Sequence, residues 1–153
     1  MSNHALSCAA LLFAISFTSA ARAEVKIDPN CDKRLPASQV SKLADQSLKL
    51  VPASSEMPGA VLTCVYSSSD ATMAAVLVMV LPIGGDFPDL VAAATGYKPV
   101  PGVGEAAAVS PNGTTLVVRK AGKSVQVDGH TGDFKPLDLK VLKALVEPIL
   151  KTM

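Results

Sequence analysis

Aromatic side chains are scarce in this chain of 153 residues, which contains no tryptophan, two tyrosines and four phenylalanines. A platform that stacks nucleic-acid bases or sugars needs several exposed rings, so such a site is hard to build here. Runs of basic residues are also missing, and the formal net charge is +1. Because phosphate backbones are bound by clustered Lys and Arg, we expect no nucleic acid among the partners.

Histidine is equally rare, since His4 and His130 are the two in the chain. Zinc hydrolases commonly use two or three histidines as ligands, and the G-x-S-x-G pattern of a serine nucleophile does not occur. This poverty of reactive groups favours a non-enzymatic domain with no cofactor.

The N-terminus has the layout of a secretory signal peptide. Residues 5–17 are apolar apart from two serines, and Ala21-Arg22-Ala23 follows as a cleavage site. We therefore expect a signal peptide over residues 1–23 and a single domain over residues 24–153, periplasmic or secreted. The alternative is a buried helix of the folded domain. Cys8 lies inside the apolar run, so we expect no lipid attachment and no stable membrane anchor after cleavage.

Cleavage leaves two cysteines, Cys31 and Cys64. An even count in an exported chain favours a disulfide, and closing this loop of 33 residues would stabilise the fold by about 3–4 kcal/mol. Two buried thiols are the alternative. Loss of Arg22 also leaves 13 basic and 13 acidic residues, a net charge of zero.

The first half of the mature chain mixes helical and strand patterns. Residues 24–36 form a turn-rich leader, and a helix is expected from the cap Ser38, with an apolar stripe at Val40, Leu43, Ala44, Leu48 and Val51. Residues 61–66 resemble a strand. Residues 72–81 are almost wholly apolar and predict a buried central strand, with a buried helix or a lipid-cavity wall as alternatives.

The second half is dominated by turns. A short helix is expected to begin at Asp86 or Asp89 and to close at Gly96. Strands follow over residues 105–109, 114–119 and 124–128, joined by Asn112-Gly113 and by Ala121-Gly122. A last helix begins near Asp138 and is expected to kink or shorten at Pro148.

The expected order is therefore α-β-β-α-β-β-β-α. Short links between strands require antiparallel pairing, so we predict an α+β fold, with an antiparallel sheet of about five strands and two or three helices packed on it.

The stretch from Pro101 to Ala107, PGVGEAA, matches the G-x-G-x-x-[GA] pattern of dinucleotide-binding loops. That loop needs a strand before it and a long helix after it. Here two prolines precede Gly102, and only residues 105–109 remain before the next turn. We therefore expect these glycines to turn the chain by adopting dihedrals that a Cβ forbids.

A candidate polar site surrounds the remaining histidine. Asp128, His130 and Asp133 could supply metal ligands or an imidazole base oriented by a carboxylate. The simpler interpretation is a polar turn in which Gly129 and Gly132 bend the chain.

Three elements together resemble a group of small exported bacterial proteins of uncharacterised function, many of them actinobacterial lipoproteins. These elements are Cys31 followed by a helix, Cys64 two residues before Tyr66, and the Gly-x-Gly-[Asp/Glu]-x-Ala turn beginning at Gly102. The resemblance implies an α+β domain with a cysteine pair, and it implies no activity.

We expect a binding or protein-interaction module whose partner is an envelope protein or a small ligand. The alternative is a hydrolase or metal-dependent enzyme that uses His130 with Asp128 or Asp133. A third possibility is an accessory subunit of the envelope that recruits a partner chain through a sheet edge.

Overall fold

The computed structural model of the chain describes residues 27–53, 59–68, 75–82 and 96–153. Across these residues the chain forms one antiparallel sheet with helices, so the predicted α+β class is confirmed. The prediction of about five strands is wrong, because the sheet has seven, and the order of elements also differs. The described helices are α1 (Pro29–Arg34), α2 (Ala37–Ala44) and α3 (Leu139–Lys151), and the strands are β1 (Lys49–Val51), β2 (Leu62–Ser67), β3 (Val76–Leu81), β4 (Lys98–Pro99), β5 (Ala106–Val109), β6 (Thr115–Lys120) and β7 (Lys123–Gly129).

The strands lie in the order β1-β2-β3-β7-β6-β5-β4, and every neighbouring pair is antiparallel. Their register aligns one buried row across β2, β3, β7 and β6, formed by Cys64, Val78, Val127 and Leu116. Because side chains alternate between the faces of a strand, this row defines the inner face of the sheet. The three helices pack on this face and close a continuous apolar core.

Gly129 brings the C-terminal helix close to the inner face. A Cβ placed on Gly129 would lie 2.7 Å from Leu137 Cδ1 and 3.0 Å from Leu142 Cδ2. A Cβ here would require both leucine side chains to move, so the missing side chain leaves room for Leu142 of α3 to pack against β7.

The N-terminal part differs from expectation. Part of the expected leader is helical, because Asp28 accepts a hydrogen bond from the Asn30 amide at 2.8 Å and caps α1. The next helix begins at Ala37 without a side-chain cap, so the expected Ser38 cap is wrong. It ends at Ala44, and residues 49–51 form β1 instead of continuing the helix.

The Ser41 hydroxyl holds this reversal, because it donates to the Leu48 carbonyl at 3.1 Å and accepts from the Leu48 amide at 3.0 Å. The helical spacing of apolar residues that included Leu48 and Val51 therefore continued by coincidence past the end of α2 and into β1.

The five predicted strands are observed, as β2, β3, β5, β6 and β7. Residues 76–81 form β3, which pairs with β2 on one side and β7 on the other, so this part of the apolar run is a strand and not a buried helix. The strands β5, β6 and β7 form the expected meander. Ala121 and Gly122 both have positive φ, at 50° and 69°, as a tight two-residue hairpin turn requires.

Two prolines lie within regular elements. Pro99 belongs to β4, at the edge of the sheet, where no further strand needs its missing N–H. Pro148 lies inside α3, and the helix continues for three residues to Lys151, so the expected shortening at Pro148 is wrong. The cap at the other end is as expected, since Asp138 accepts from the Lys140 amide at 2.7 Å.

A disulfide joins Cys31 to Cys64, as predicted, with their Cα atoms 5.5 Å apart. It attaches α1 to the inner face of β2. The fully buried Tyr66 hydroxyl makes a second attachment by donating to the Leu35 carbonyl at the end of α1. Burial raises the pKa of this phenol above its ordinary value of 10.0, and the Asp32 carboxylate raises it further.

Several predictions concern residues outside the described ranges. They are the signal peptide over residues 1–23, the role of Cys8, and the helix between Asp86 and Gly96. Among the described helices, none has the length and apolar character needed to cross a membrane.

Candidate functional site

The three residues of the candidate polar site each engage a different partner. Asp128, in β7, accepts hydrogen bonds from the Thr115 hydroxyl and from Gln126 Nε2 at 2.7 Å. The His130 Nδ1 atom lies 2.8 Å from the Thr131 carbonyl oxygen. Asp133 forms a loose, exposed ion pair with Lys135 at 3.8 Å.

No group of three or more His, Cys, Asp or Glu side chains suited to a metal ion occurs among the described residues. The His130 ring instead stacks on Phe134, with ring centroids 5.1 Å apart. Phe134 is 62% exposed and lies in a tight turn closed by its amide hydrogen bond to the Thr131 carbonyl. Residues 131–135 therefore have the bonding of a polar turn, whereas Asp128 and Gly129 belong to β7.

The PGVGEAA stretch forms a turn that leads into a strand. Gly102 and Gly104 have φ of 76° and 58°, a region that residues with a Cβ rarely adopt. A Cβ on Gly104 would lie 2.5 Å from Val118 Cγ1 and 2.6 Å from the Arg119 carbonyl oxygen. The second glycine is therefore required by close approach to β6, and β5 follows it where a dinucleotide loop would start a helix.

Glu105 fixes this turn to the β6–β7 hairpin. Its amide donates to the Arg119 carbonyl at 2.9 Å, and its carboxylate accepts from the Ala121 amide at 3.0 Å. A longer contact of 3.7 Å joins the same carboxylate to Arg119 Nε. The glycine turn is thus held in a defined position beside the C-terminal half of α3.

A cavity of about 500 Å³ opens between this turn, the end of β6 and α3. Sites for small molecules usually measure about 300–1,000 Å³, so the volume suits a small ligand. The described residues that line it are the turn Gly102, Val103 and Gly104, the lysines Lys120, Lys140, Lys143 and Lys151, the apolar residues Ala144, Val146 and Leu150, and Glu147.

The charge of this lining is strongly positive. The described lining carries four ammonium groups and one carboxylate, a formal charge of +3 in a chain whose total is +1. Glu147 is paired with Lys151 at 2.8 Å, and the hydrogen bond and the charge of Lys151 hold the Glu147 pKa below its usual value. Lys120 donates to the Leu150 carbonyl at 2.6 Å, which places a cation at the C-terminal end of α3, where the helix dipole favours it.

Lys140 and Lys143 differ from the other two lysines, because neither ammonium has a hydrogen bond or ion pair with another residue in the described part of the chain. Both lie on the helix face that also carries Glu147 and Lys151, since residues three and four apart are neighbours on a helix. Two adjacent ammonium groups beside an apolar wall can bind an anion that carries a small apolar group.

The sequence contains one feature of this cavity that the overall charge count does not reveal. The spacing of Lys140, Lys143, Glu147 and Lys151 predicts a charged stripe along one helix face, but an equal count of acidic and basic residues suggested balance. Lys120 and the glycine turn join that stripe only through the tertiary fold. No protein-family model, curated protein or solved structure matches this chain.

Proposed function

We propose that this protein is an exported, non-enzymatic binding domain that holds a small anionic ligand in the cavity between the glycine turn and α3. The observation that carries the proposal is the positive lining. Like charges brought together without a counterion are unfavourable, and an anion in the cavity relieves that cost.

Binding, and not catalysis, suits the chemistry of this lining. In the described lining, the lysines and Glu147 are the ionisable groups, and Lys120, Lys151 and Glu147 are bound to other parts of the protein. The lining described above contains no serine, cysteine or histidine that could act as a nucleophile or general base. Lys140 and Lys143 supply positive charge and hydrogen-bond donors, which can bind an anion.

Export is supported by two independent features. The Cys31–Cys64 disulfide is buried, and such bonds form and persist in oxidising compartments outside the cytosol. The apolar N-terminal run with its Ala21-Arg22-Ala23 site is typical of a secretory signal. Intact mass of the exported protein tests this part, because we expect a chain that begins at Glu24 and lacks two thiol hydrogens. A full-length chain with reduced cysteines would contradict export.

Ligand binding can be tested by stabilisation. Purified protein is titrated with a panel of small carboxylates, phosphates and sulfonates while the free energy of unfolding is measured. A ligand present at one hundred times its dissociation constant should stabilise the protein by about 2.7 kcal/mol. The double variant Lys140→Glu/Lys143→Glu should weaken binding at least tenfold, or by about 1.4 kcal/mol.

The matched control is Lys33→Glu/Lys49→Glu, which makes the same change of charge at exposed lysines on α1 and β1. Equal losses in both double variants would mean that overall charge, and not the cavity, attracts the anions. No stabilisation by any compound of the panel would contradict the proposed function.

A further inference from the structure

We infer that the ligand is a phosphate ester, whose phosphate group is bound by the backbone N–H groups of the glycine turn together with the cavity lysines. This inference rests on the proposed function and names the class of its ligand. Its first observation is the conformation of the turn. Gly102 and Gly104 have positive φ, and Val103 between them does not. Residues that alternate in this way direct successive N–H groups towards one side, which forms a concave binding site for anions.

The hydrogen bonds around the turn show which donors remain available. The Val100 amide donates to the Ala107 carbonyl at 2.8 Å, and the Glu105 amide donates to the Arg119 carbonyl at 2.9 Å. Between these two anchors, the N–H groups of residues 102–104 make no hydrogen bond within the described part of the chain. Gly102 and Gly104 are exposed, so solvent can reach these donors and an anion can replace it.

The number of donors favours phosphate over carboxylate. Three amides of the turn and the ammonium groups of Lys140 and Lys143 exceed what two carboxylate oxygens can serve, since these offer about four acceptor positions. A phosphate monoester has three terminal oxygens and about −1.5 to −2 charges near neutral pH. That charge suits a lining whose described residues carry +3. Lysine acts as a point charge toward phosphate, without the planar geometry that arginine imposes.

The apolar part of the lining indicates which alcohol the phosphate ester carries. Ala144, Val146 and Leu150 line the cavity beside the lysines. Val146 is fully buried and Leu150 is 8% exposed, so Ala144 and the edge of Leu150 form the apolar surface that favours contact with an apolar moiety. No aromatic ring occurs in the described lining, so a nucleobase would find no stacking partner. The alcohol of the ester is therefore short and aliphatic, and it belongs either to a soluble phosphomonoester or to the headgroup region of phosphatidic acid.

The test uses the full mature protein labelled with 15N at glycine. Butyl phosphate, inorganic phosphate and pentanoate are titrated separately, and the Gly102 amide is assigned with the Gly102→Ala variant. Butyl phosphate should shift the amide signals of Gly102 and Gly104 in proportion to saturation. The amide of Gly122, a positive-φ glycine at another hairpin, should not move. Butyl phosphate should bind at least tenfold more tightly than pentanoate, and inorganic phosphate should compete with it.

Three results decide between the two proposals. If pentanoate binds as tightly as butyl phosphate, with dependence on Lys140 and Lys143 but no shift at Gly102 or Gly104, the phosphate inference is overturned and the proposed function stands. If none of the three compounds binds, the phosphate inference is overturned, and the proposed function fails only if no compound of the wider panel stabilises the protein. If the glycine shifts occur and disappear in Lys140→Glu/Lys143→Glu, the inference is supported.

The source of the ester is settled by vesicles of phosphatidylcholine with and without phosphatidic acid. Sedimentation of the protein with phosphatidic acid vesicles, reversed by butyl phosphate, supports the lipid headgroup as the source. Binding of butyl phosphate without sedimentation supports a soluble ester. Vesicle binding that butyl phosphate does not reverse, together with absent glycine shifts, would overturn the inference.

Discussion

Replacing the two glycines of the PGVGE turn one at a time separates conformational freedom from close packing. Gly102 and Gly104 both have positive φ, so alanine at either position costs about 1–2 kcal/mol. Nothing lies within 4 Å of a Cβ on Gly102. A Cβ on Gly104 would lie 2.5 Å from Val118 Cγ1 and 2.6 Å from the Arg119 carbonyl oxygen, and overpacking of this kind costs a further ~1–3 kcal/mol.

We predict that the two variants differ in their free energy of unfolding. Gly104→Ala should lower the free energy of unfolding by about 2–5 kcal/mol, and Gly102→Ala by about 1–2 kcal/mol. Urea denaturation followed by circular dichroism measures both, with a slope of about 1–3 kcal/mol per molar urea. A difference of 2 kcal/mol therefore moves the midpoint by about 1 M. Equal midpoints for the two variants, with unchanged slopes, would refute the claim that Gly104 is required by its distance to β6.

Three further predictions concern the attachment of α1. Cys31→Ser/Cys64→Ser should destabilise the protein by about 3–4 kcal/mol in urea, because it opens a loop with a sequence separation of 33 residues; a loss below about 1 kcal/mol would contradict this. Tyr66→Phe should cost about 1–3 kcal/mol, because the buried Leu35 carbonyl loses its hydrogen-bond donor, and an unchanged urea midpoint would argue against that bond. In a Tyr97→Phe protein the phenolate absorbance belongs to Tyr66 alone. The raised pKa of Tyr66 in the folded state means that its contribution to the free energy of unfolding is fully present below about pH 10 and is lost as the pH rises further. Ionisation should thus coincide with loss of circular dichroism, and ionisation at about pH 10 with the fold intact would contradict burial of the phenol.

Local chemistry explains which elements were predictable. The β5–β7 meander follows from connections of five residues (110–114) and two residues (Ala121-Gly122), whose turn conformations depend on neighbouring residues alone. The helix α2 shows the opposite case. Its apolar spacing continues through Leu48 and Val51, but the chain turns at Asp45, which has a φ of 51°, and residues 49–51 pair with β2. That pairing joins two segments separated by ten residues, and the periodicity within one segment carries no information about its pairing partner.

The functional residues also show that closeness in sequence does not predict closeness in the fold. Asp128, His130 and Asp133 lie close in sequence and engage separate partners in the structure. The cavity instead unites the turn at residues 102–104 with Lys120 and with α3, which are separated by most of the second half of the chain. A count of charges could not reveal it, because a balanced total says nothing about where the charges meet.

The amino-acid order alone determined the α+β class, the antiparallel meander and the pairing of Cys31 with Cys64. These features follow from short-range turn geometry, alternating hydrophobicity and a cysteine count. Only the tertiary structure decided that the described residues form a sheet of seven strands, that the three described helices share one face, and that lysines from β6 and α3 line a cavity with the glycine turn. Strand pairing and electrostatic potential both depend on distances in space, and folding brings together residues that sequence position leaves apart.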